Sequence, residues 1–282
     1  MSSMTKIDLE RNIYLDELFI KRCIKTCVRQ FKSIRDIKEG NIMWYMGSKN
    51  RLSKYLVPII ESYIDEKTEG YMEPFVGGAN IIDKVNCDNK IGYDIHKELV
   101  ALLNYIKVND DIPEIITEEE YEKVKNNREN YEDWYVGLVG FCSTFGAKYF
   151  GGYARSKKDK FNGEKSYLAI KNLKKQSVNF TNITFECKDF RKIKNIKNHI
   201  IYCDPPYRNT TKYKTEKFPY EEFYDWCREM SKNNVVLISE YWMPDDFECI
   251  WEKESKVNFD SNRNPNDDKN KRIEKLFKLK EE

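Results

Sequence analysis

Histidine is nearly missing from this 282-residue chain. His96 and His199 are too few for a histidine-based metal site or a nucleophile triad, and neither G-x-S-x-G nor H-E-x-x-H occurs, so no metal is expected. Cys23, Cys27, Cys87, Cys142, Cys187, Cys203, Cys227 and Cys249 never form a C-x-x-C pair, which leaves no zinc site and no disulfide framework to expect. A reducing cytoplasm is the setting that fits such scattered thiols. No apolar run approaches the ~18 residues needed to cross a bilayer. No signal-peptide pattern opens the chain, so no membrane partner is expected. Strong net charge is also missing: +2 is too little to argue for a polyanionic partner by itself. There is no internal repeat.

What is present is a globular composition, 40% hydrophobic and 34% charged, with an aromatic share of 14% that supplies ample core without cross-links. The charge is uneven. Lys148, Arg155, Lys157, Lys158, Lys160, Lys165, Lys171, Lys174 and Lys175 face only Asp159 and Glu164 over that stretch. Such a block suits phosphate contacts, and it equally suits an ordinary solvated lysine face.

Along the chain, residues 1–40 read as a helical extension. Leu15, Leu18, Phe19, Ile24, Cys27, Val28, Phe31 and Ile34 recur at helical spacing, and Gly40 ends the pattern. The organised pattern begins at Met43, which makes Met43 an expected alternative start. Leu52, Leu56, Ile59, Ile60 and Tyr63 mark a helix broken or capped near Pro58. Strands are expected at 71–76, 90–95, 183–187, 200–203 and 235–239. Helices are expected over 77–84, after a turn, over 98–107, and through Phe223, Trp226, Cys227 and Met230. Residues 263–268 read as polar loop, with a short strand or helix near 273–279. Alternating strand and helix predict an α/β fold of the doubly wound kind, interrupted in its middle third.

Three constellations carry chemistry. Asp204-Pro205-Pro206-Tyr207 follows the apolar run His199-Ile200-Ile201-Tyr202-Cys203. Neither proline has an N–H, so the segment offers acceptors and a ring but few donors. That suits a flat base held by an amino group such as N6 of adenine, whose lone pair is conjugated into the ring. Acceptance of its two hydrogens by the Asp204 carboxylate and the Pro205 carbonyl would aim that lone pair at an electrophile such as a sulfonium methyl. Tyr207 would stack on a base taken out of a duplex. A plainer reading is that the prolines end a buried strand and Asp204 caps a turn. In Glu73-Pro74-Phe75-Val76-Gly77-Gly78-Ala79, two glycines at a strand end permit close approach to backbone N–H groups, or simply make a tight turn. Asp94 ends the next strand where nucleotide folds place a ribose-binding carboxylate; a solvated strand end is the alternative. Tyr45-Met46-Gly47-Ser48-Lys49 lacks the spacing of a phosphate loop, so spacing alone assigns Lys49 no role.

Taken together and in order, Tyr45 to Lys49, Glu73 to Gly78, Asp94-Ile95, Phe145-Gly146-Ala147-Lys148, Asp204 to Tyr207 and Ser239-Glu240-Tyr241 resemble the Dam-type DNA adenine-N6 methyltransferases, phage examples included, from about Met43 to the end. The resemblance implies a Rossmann-like S-adenosylmethionine-dependent sheet made of residues 41–108 and 183–282. Residues 109–182 would form an inserted, mainly helical target-recognition region. It implies cofactor contacts from Tyr45, Lys49, Phe75, Gly77, Gly78, Asp94, Asp189, Phe190 and Asp204. Catalysis would fall to Asp204, Pro205, Pro206 and Tyr207. Lys148, Tyr149 and Arg155 become candidates for contact with double-stranded DNA. The glycine turn, Phe75-Val76-Gly77-Gly78, departs from the commoner F-x-G-x-G. RNA methylation and a catalytically silent nucleic-acid binder are the competing expectations. Intact carboxylate and lysine positions weigh against silence, and the long insertion weighs against a bare RNA-modifying domain. Cytosine-C5 chemistry would need a cysteine after proline, and no proline here precedes one. The target word and any cognate restriction endonuclease are not legible.

Overall fold

A computed structural model describes residues 43–155, 159–208, 218–256 and 271–281. The expected helix over 1–40, Lys157, Lys158 and the polar loop at 263–268 lie outside them. Residues 42–282 form one compact unit. Helix α1 (Asn50–Glu61) contains Pro58 in its last turn and leads to β1 (Gly70–Glu73), which stops at Pro74 because proline cannot donate to a ladder. Then follow β2 (Lys90–Asp94) and α2 (Lys97–Val108). The middle third supplies α3 (Glu118–Asn126), α4 (Asp133–Cys142) and α5 (Glu164–Ser177). The rest of the fold is β3 (Ile183–Cys187), β4 (His199–Cys203), α6 (Tyr220–Ser231), β5 (Val235–Glu240), β6 (Phe247–Lys256) and β7 (Lys271–Leu279).

The seven strands make one sheet in the order β3-β2-β1-β4-β5-β7-β6. The first five are parallel, and β7 inserts antiparallel between β5 and β6. Strand alternation divides the core in two. Tyr71, Ile200, Tyr202, Leu237 and Leu276 join α1, α2, α4 and α5 on one face; Met72, Ile201, Cys203, Val236, Ile238 and Phe277 join α6 on the other. The helices of the middle third therefore share the sheet's own core. Helix α4 closes on α2 at Gly137, where a Cβ would sit 2.2 Å from the Glu98 carbonyl oxygen.

One expectation changes. Residues 77–84 form successive turns and no helix. Gly77 and Ala79 both take positive φ, and Asn80 donates its amide to Ser48 Oγ at 2.8 Å and to the Met43 carbonyl at 3.3 Å, so contacts with a distant segment replace helical bonds. Of the two forms expected near 273–279 the segment takes the strand, Lys271–Leu279, and its partner β6 is an element the sequence pattern did not announce.

Candidate active site

The carboxyl ends of the parallel strands carry acids side by side: Asp94 ends β2, Glu73 ends β1, Asp204 follows β4 and Glu240 ends β5. Neighbouring strands lie ~4.8 Å apart, so these side chains share one edge. Open α/β sheets bind ligands along that edge.

Lys49, at the start of α1, reaches into this row. Its ammonium lies 3.3 Å from Asp204 Oδ1 and 3.3 Å from Glu274 Oε2, and 4.2 Å from the Tyr207 ring centroid. Burial would lower the Lys49 pKa, but the two carboxylates outweigh it and hold the amine charged. Burial pushes Asp204 up; Lys49 opposes this, and the charge of Glu274 adds to it. Glu274, on β7, also accepts the Tyr207 hydroxyl at 3.3 Å and the Tyr241 hydroxyl at 3.5 Å. The rings of Tyr207 and Tyr241 meet edge to face at 4.6 Å. Pro205 is buried, while the Pro206 carbonyl accepts the Tyr220 hydroxyl at 2.9 Å.

The glycine turn and Asp94 meet directly. Asp94 Oδ2 accepts the Gly77 N–H at 3.1 Å and Oδ1 accepts the His96 N–H at 2.9 Å. Burial raises the Asp94 pKa, and these N–H groups restrain the rise. Tyr45 covers the turn so closely that a Cβ on Gly77 would lie 2.8 Å from its ring, and one on Gly78 2.7 Å from its Cβ. Phe75 packs on Phe190 at 5.6 Å, in a cluster with Phe218 and Phe223. Asp189 is engaged by its own loop, accepting the Arg191 N–H at 2.8 Å and the Arg191 guanidinium at 2.7 and 2.9 Å.

The three candidates for DNA contact do not form one cluster. Lys148 is exposed, on a loop closed by Phe145 N–H to the Gly152 carbonyl and Ala154 N–H to the Ser143 carbonyl. Tyr149 turns inward against His96 at 4.3 Å and Phe141 at 4.9 Å, where burial pushes its hydroxyl up to about 12. Arg155 pairs with Glu118 of α3.

Several participants escaped sequence reasoning. Glu274 sits in a strand whose partners only the fold reveals. Glu240 stood in a recognised motif without a role; its carboxylate accepts the Arg208 N–H at 3.2 Å and the Tyr241 N–H at 2.8 Å, tying the loop after β4 to the loop after β5. Arg208, Glu240, Tyr241 and Trp242 line a recess of about 270 Å³ beside Tyr207. Buried Gln176 of α5 accepts the Met43 N–H at 2.7 Å and donates to the Gly78 and Ala79 carbonyls, both at 3.1 Å. Glu73 is buried with the Tyr71 hydroxyl 2.7 Å away; burial raises its pKa well above the ordinary value, and the Tyr71 hydroxyl opposes the rise.

A seven-stranded mixed α/β sheet with this acidic carboxyl edge is the Rossmann-like fold of methyltransferases. The chain matches the D12 class N6 adenine-specific DNA methyltransferases over residues 45–138 and 135–264, and it belongs to that family. It is also similar to the Type II methyltransferase M.FokI of Planomicrobium okeanokoites, 27% identical over 194 residues. That match covers 59% of this chain and 29% of the relative, so the chain spans less than a third of that protein's length.

Proposed function

We propose that this protein transfers a methyl group from S-adenosylmethionine to N6 of adenine within a specific double-stranded DNA sequence. The observation that carries the reading is the Lys49–Asp204 ion pair, which joins the first motif to the D-P-P-Y segment at the edge that also holds Asp94. The residues suit the cofactor: Asp94 keeps further acceptor capacity for ribose hydroxyls, and the carboxylates favour a cationic ligand. When bound, S-adenosylmethionine supplies an electrophilic methyl on a sulfonium.

The protein's part is positioning and proton handling. Tyr207 stacks on the extruded base, and the recess lined by Trp242 and Tyr241 gives the base room beside it. Asp204 and the Pro205 carbonyl accept the two N6 hydrogens and aim the lone pair. So aimed, the lone pair would take the methyl that S-adenosylmethionine supplies, and the bond to sulfur would break with its electrons left on sulfur. Asp204, whose raised pKa suits the task, takes the surplus N6 proton and passes it to water. Lys148 and the basic residues of the insertion contact phosphates, and residues 109–182 select the target word. The likeness to a Type II methyltransferase favours a site-specific enzyme of a restriction-modification system.

The test is incubation with labelled S-adenosylmethionine and unmethylated genomic DNA, with an RNA arm, followed by nucleoside analysis and site mapping. N6-methyladenine at one sequence context is the expected product. Label in RNA alone would establish the RNA alternative, and label in neither would establish a silent binder. Asp204→Ala is expected to lower turnover by about 10³-fold or more while cofactor binding and fold persist. Full turnover in that variant would refute the role assigned to Asp204.

A further inference from the structure

We propose that Glu274 is a positioning residue that releases Asp204 for catalysis, by holding the Lys49 ammonium when the substrate amine takes its place on the Asp204 carboxylate. The inference rests on the methyl-transfer reading of the same site. Its starting point is a conflict in the geometry. One oxygen of the acceptor that an adenine amine needs is already engaged, since Lys49 Nζ lies 3.3 Å from Asp204 Oδ1. The Lys49 and Asp204 side chains are only 10% and 22% exposed, so little water is at hand to solvate an ammonium that has lost its carboxylate. A buried charge deprived of its partner is strongly disfavoured. With Asp204 as the sole counter-ion, Lys49 would hold the acceptor closed.

The second carboxylate removes that conflict. Glu274 Oε2 stands at the same 3.3 Å from Lys49 Nζ, and its side chain is 13% exposed. Lys49 can therefore turn wholly to Glu274 without leaving the protein's interior or losing its charge. Glu274 is itself held in place: Tyr207 donates to Oε2 at 3.3 Å and Tyr241 to Oε1 at 3.5 Å. Those two tyrosines come from the loops after β4 and β5, so the carboxylate also sets the orientation of the ring proposed to stack on the base. Antiparallel insertion of β7 beside β5 brings Glu274 to this edge. The ionisable groups around the Lys49–Glu274 pair are Asp204, Tyr207 and Tyr241 in contact, with Tyr202 and Glu240 acting on the same cluster over longer range.

The experiment compares the full chain with its Glu274→Gln and Glu274→Asp variants in methyl transfer to DNA carrying the mapped site, across about pH 6 to 9. Glu274→Gln is expected to lower kcat by roughly tenfold or more, with KM for DNA and for S-adenosylmethionine within about twofold of wild type. It should also displace the kcat–pH profile, and Glu274→Asp should recover part of the rate. Wild-type kcat with an unmoved profile in Glu274→Gln overturns the proposal. So does a rise in both KM values with loss of thermal stability, which marks a structural role alone. A readout without turnover separates this inference from the activity it rests on: NMR titration of the Lys49 side chain in isotopically labelled protein. Removal of the Glu274 charge should lower the Lys49 pKa. An unchanged value overturns the proposal even for an active enzyme. A wild-type protein that methylates no nucleic acid overturns the methyl-transfer reading instead, and with it the release of Asp204.

Discussion

Glu240 joins the two loops that frame the candidate base site, and its chemistry makes that joint sensitive to pH. Burial is the largest influence on its carboxyl and raises the pKa from an ordinary 4.5 to about 7, while the N–H groups of Tyr241 and Arg208 pull the other way. The folded protein therefore holds this proton more tightly than the unfolded chain. The stabilisation this provides is complete below pH 4.5 and is lost as pH rises through 7. Glu240→Gln keeps an acceptor oxygen for one of the two N–H groups and cannot titrate. Between about pH 5 and 8, wild-type stability against urea should fall by on the order of 1–3 kcal/mol more than that of Glu240→Gln. Other buried acids respond alike in both proteins and cancel in the comparison. Superimposable slopes would dismiss Glu240 as the source. Of this part of the site, the chain's linear order disclosed Asp204, Tyr207, Asp94 and the glycines. Those positions sit at strand ends with distinctive chemistry. Glu240 and Glu274 are ordinary acids until their neighbours are known.

Helix α5 shows how an insertion can serve the sheet it interrupts. Gln176, one of its buried polar residues, clasps the Met43 N–H and the carbonyls of the glycine turn, while Asn80 ties the same turn to Ser48. Hydrogen bonds from α5 and from the segment before α1 thus fix the glycine turn. In Gln176→Leu, side-chain volume is nearly kept but buried backbone groups lose their partners. That should cost about 2–4 kcal/mol by denaturant unfolding. Calorimetry should show weaker binding of S-adenosylmethionine. Wild-type stability and affinity would mean the clasp is incidental. The same contacts explain why residues 77–84 do not form the helix that their apolar spacing suggested: Ile81, Ile82 and Val85 are buried as a helical pattern requires, but the backbone that carries them is committed elsewhere.

Across the molecule, charge is separated in a way that a net value of +2 conceals. Acids line the carboxyl edge of the sheet, and lysines collect on the inserted region. An acidic cleft favours a cationic methyl donor, whereas a basic surface favours a phosphate backbone. Lys148 is exposed on the loop that also carries Phe145, 74% exposed. Lys148→Ala should weaken DNA binding for specific and unrelated sequences alike, and lower the slope of log affinity against log salt by about 0.9. Fluorescence anisotropy over a salt series would measure it, and an unaltered slope would remove Lys148 from the phosphate contacts. Arg155, already paired with Glu118, must first surrender that ion pair to reach DNA, so its loss should matter less.

Local chemistry was enough to specify the alternating α/β order and the strand ends that bear Asp94 and Asp204. Those properties follow from side-chain type, proline's missing N–H and hydrophobic period, all of which act over a few neighbouring residues. Long-range pairing decided the rest. It brought β7 between β5 and β6, set Glu274 against Lys49, turned Tyr149 inward and recruited Gln176 to the glycine turn. Charge compensation and burial depend on which distant segments meet, and no spacing along a chain encodes that meeting.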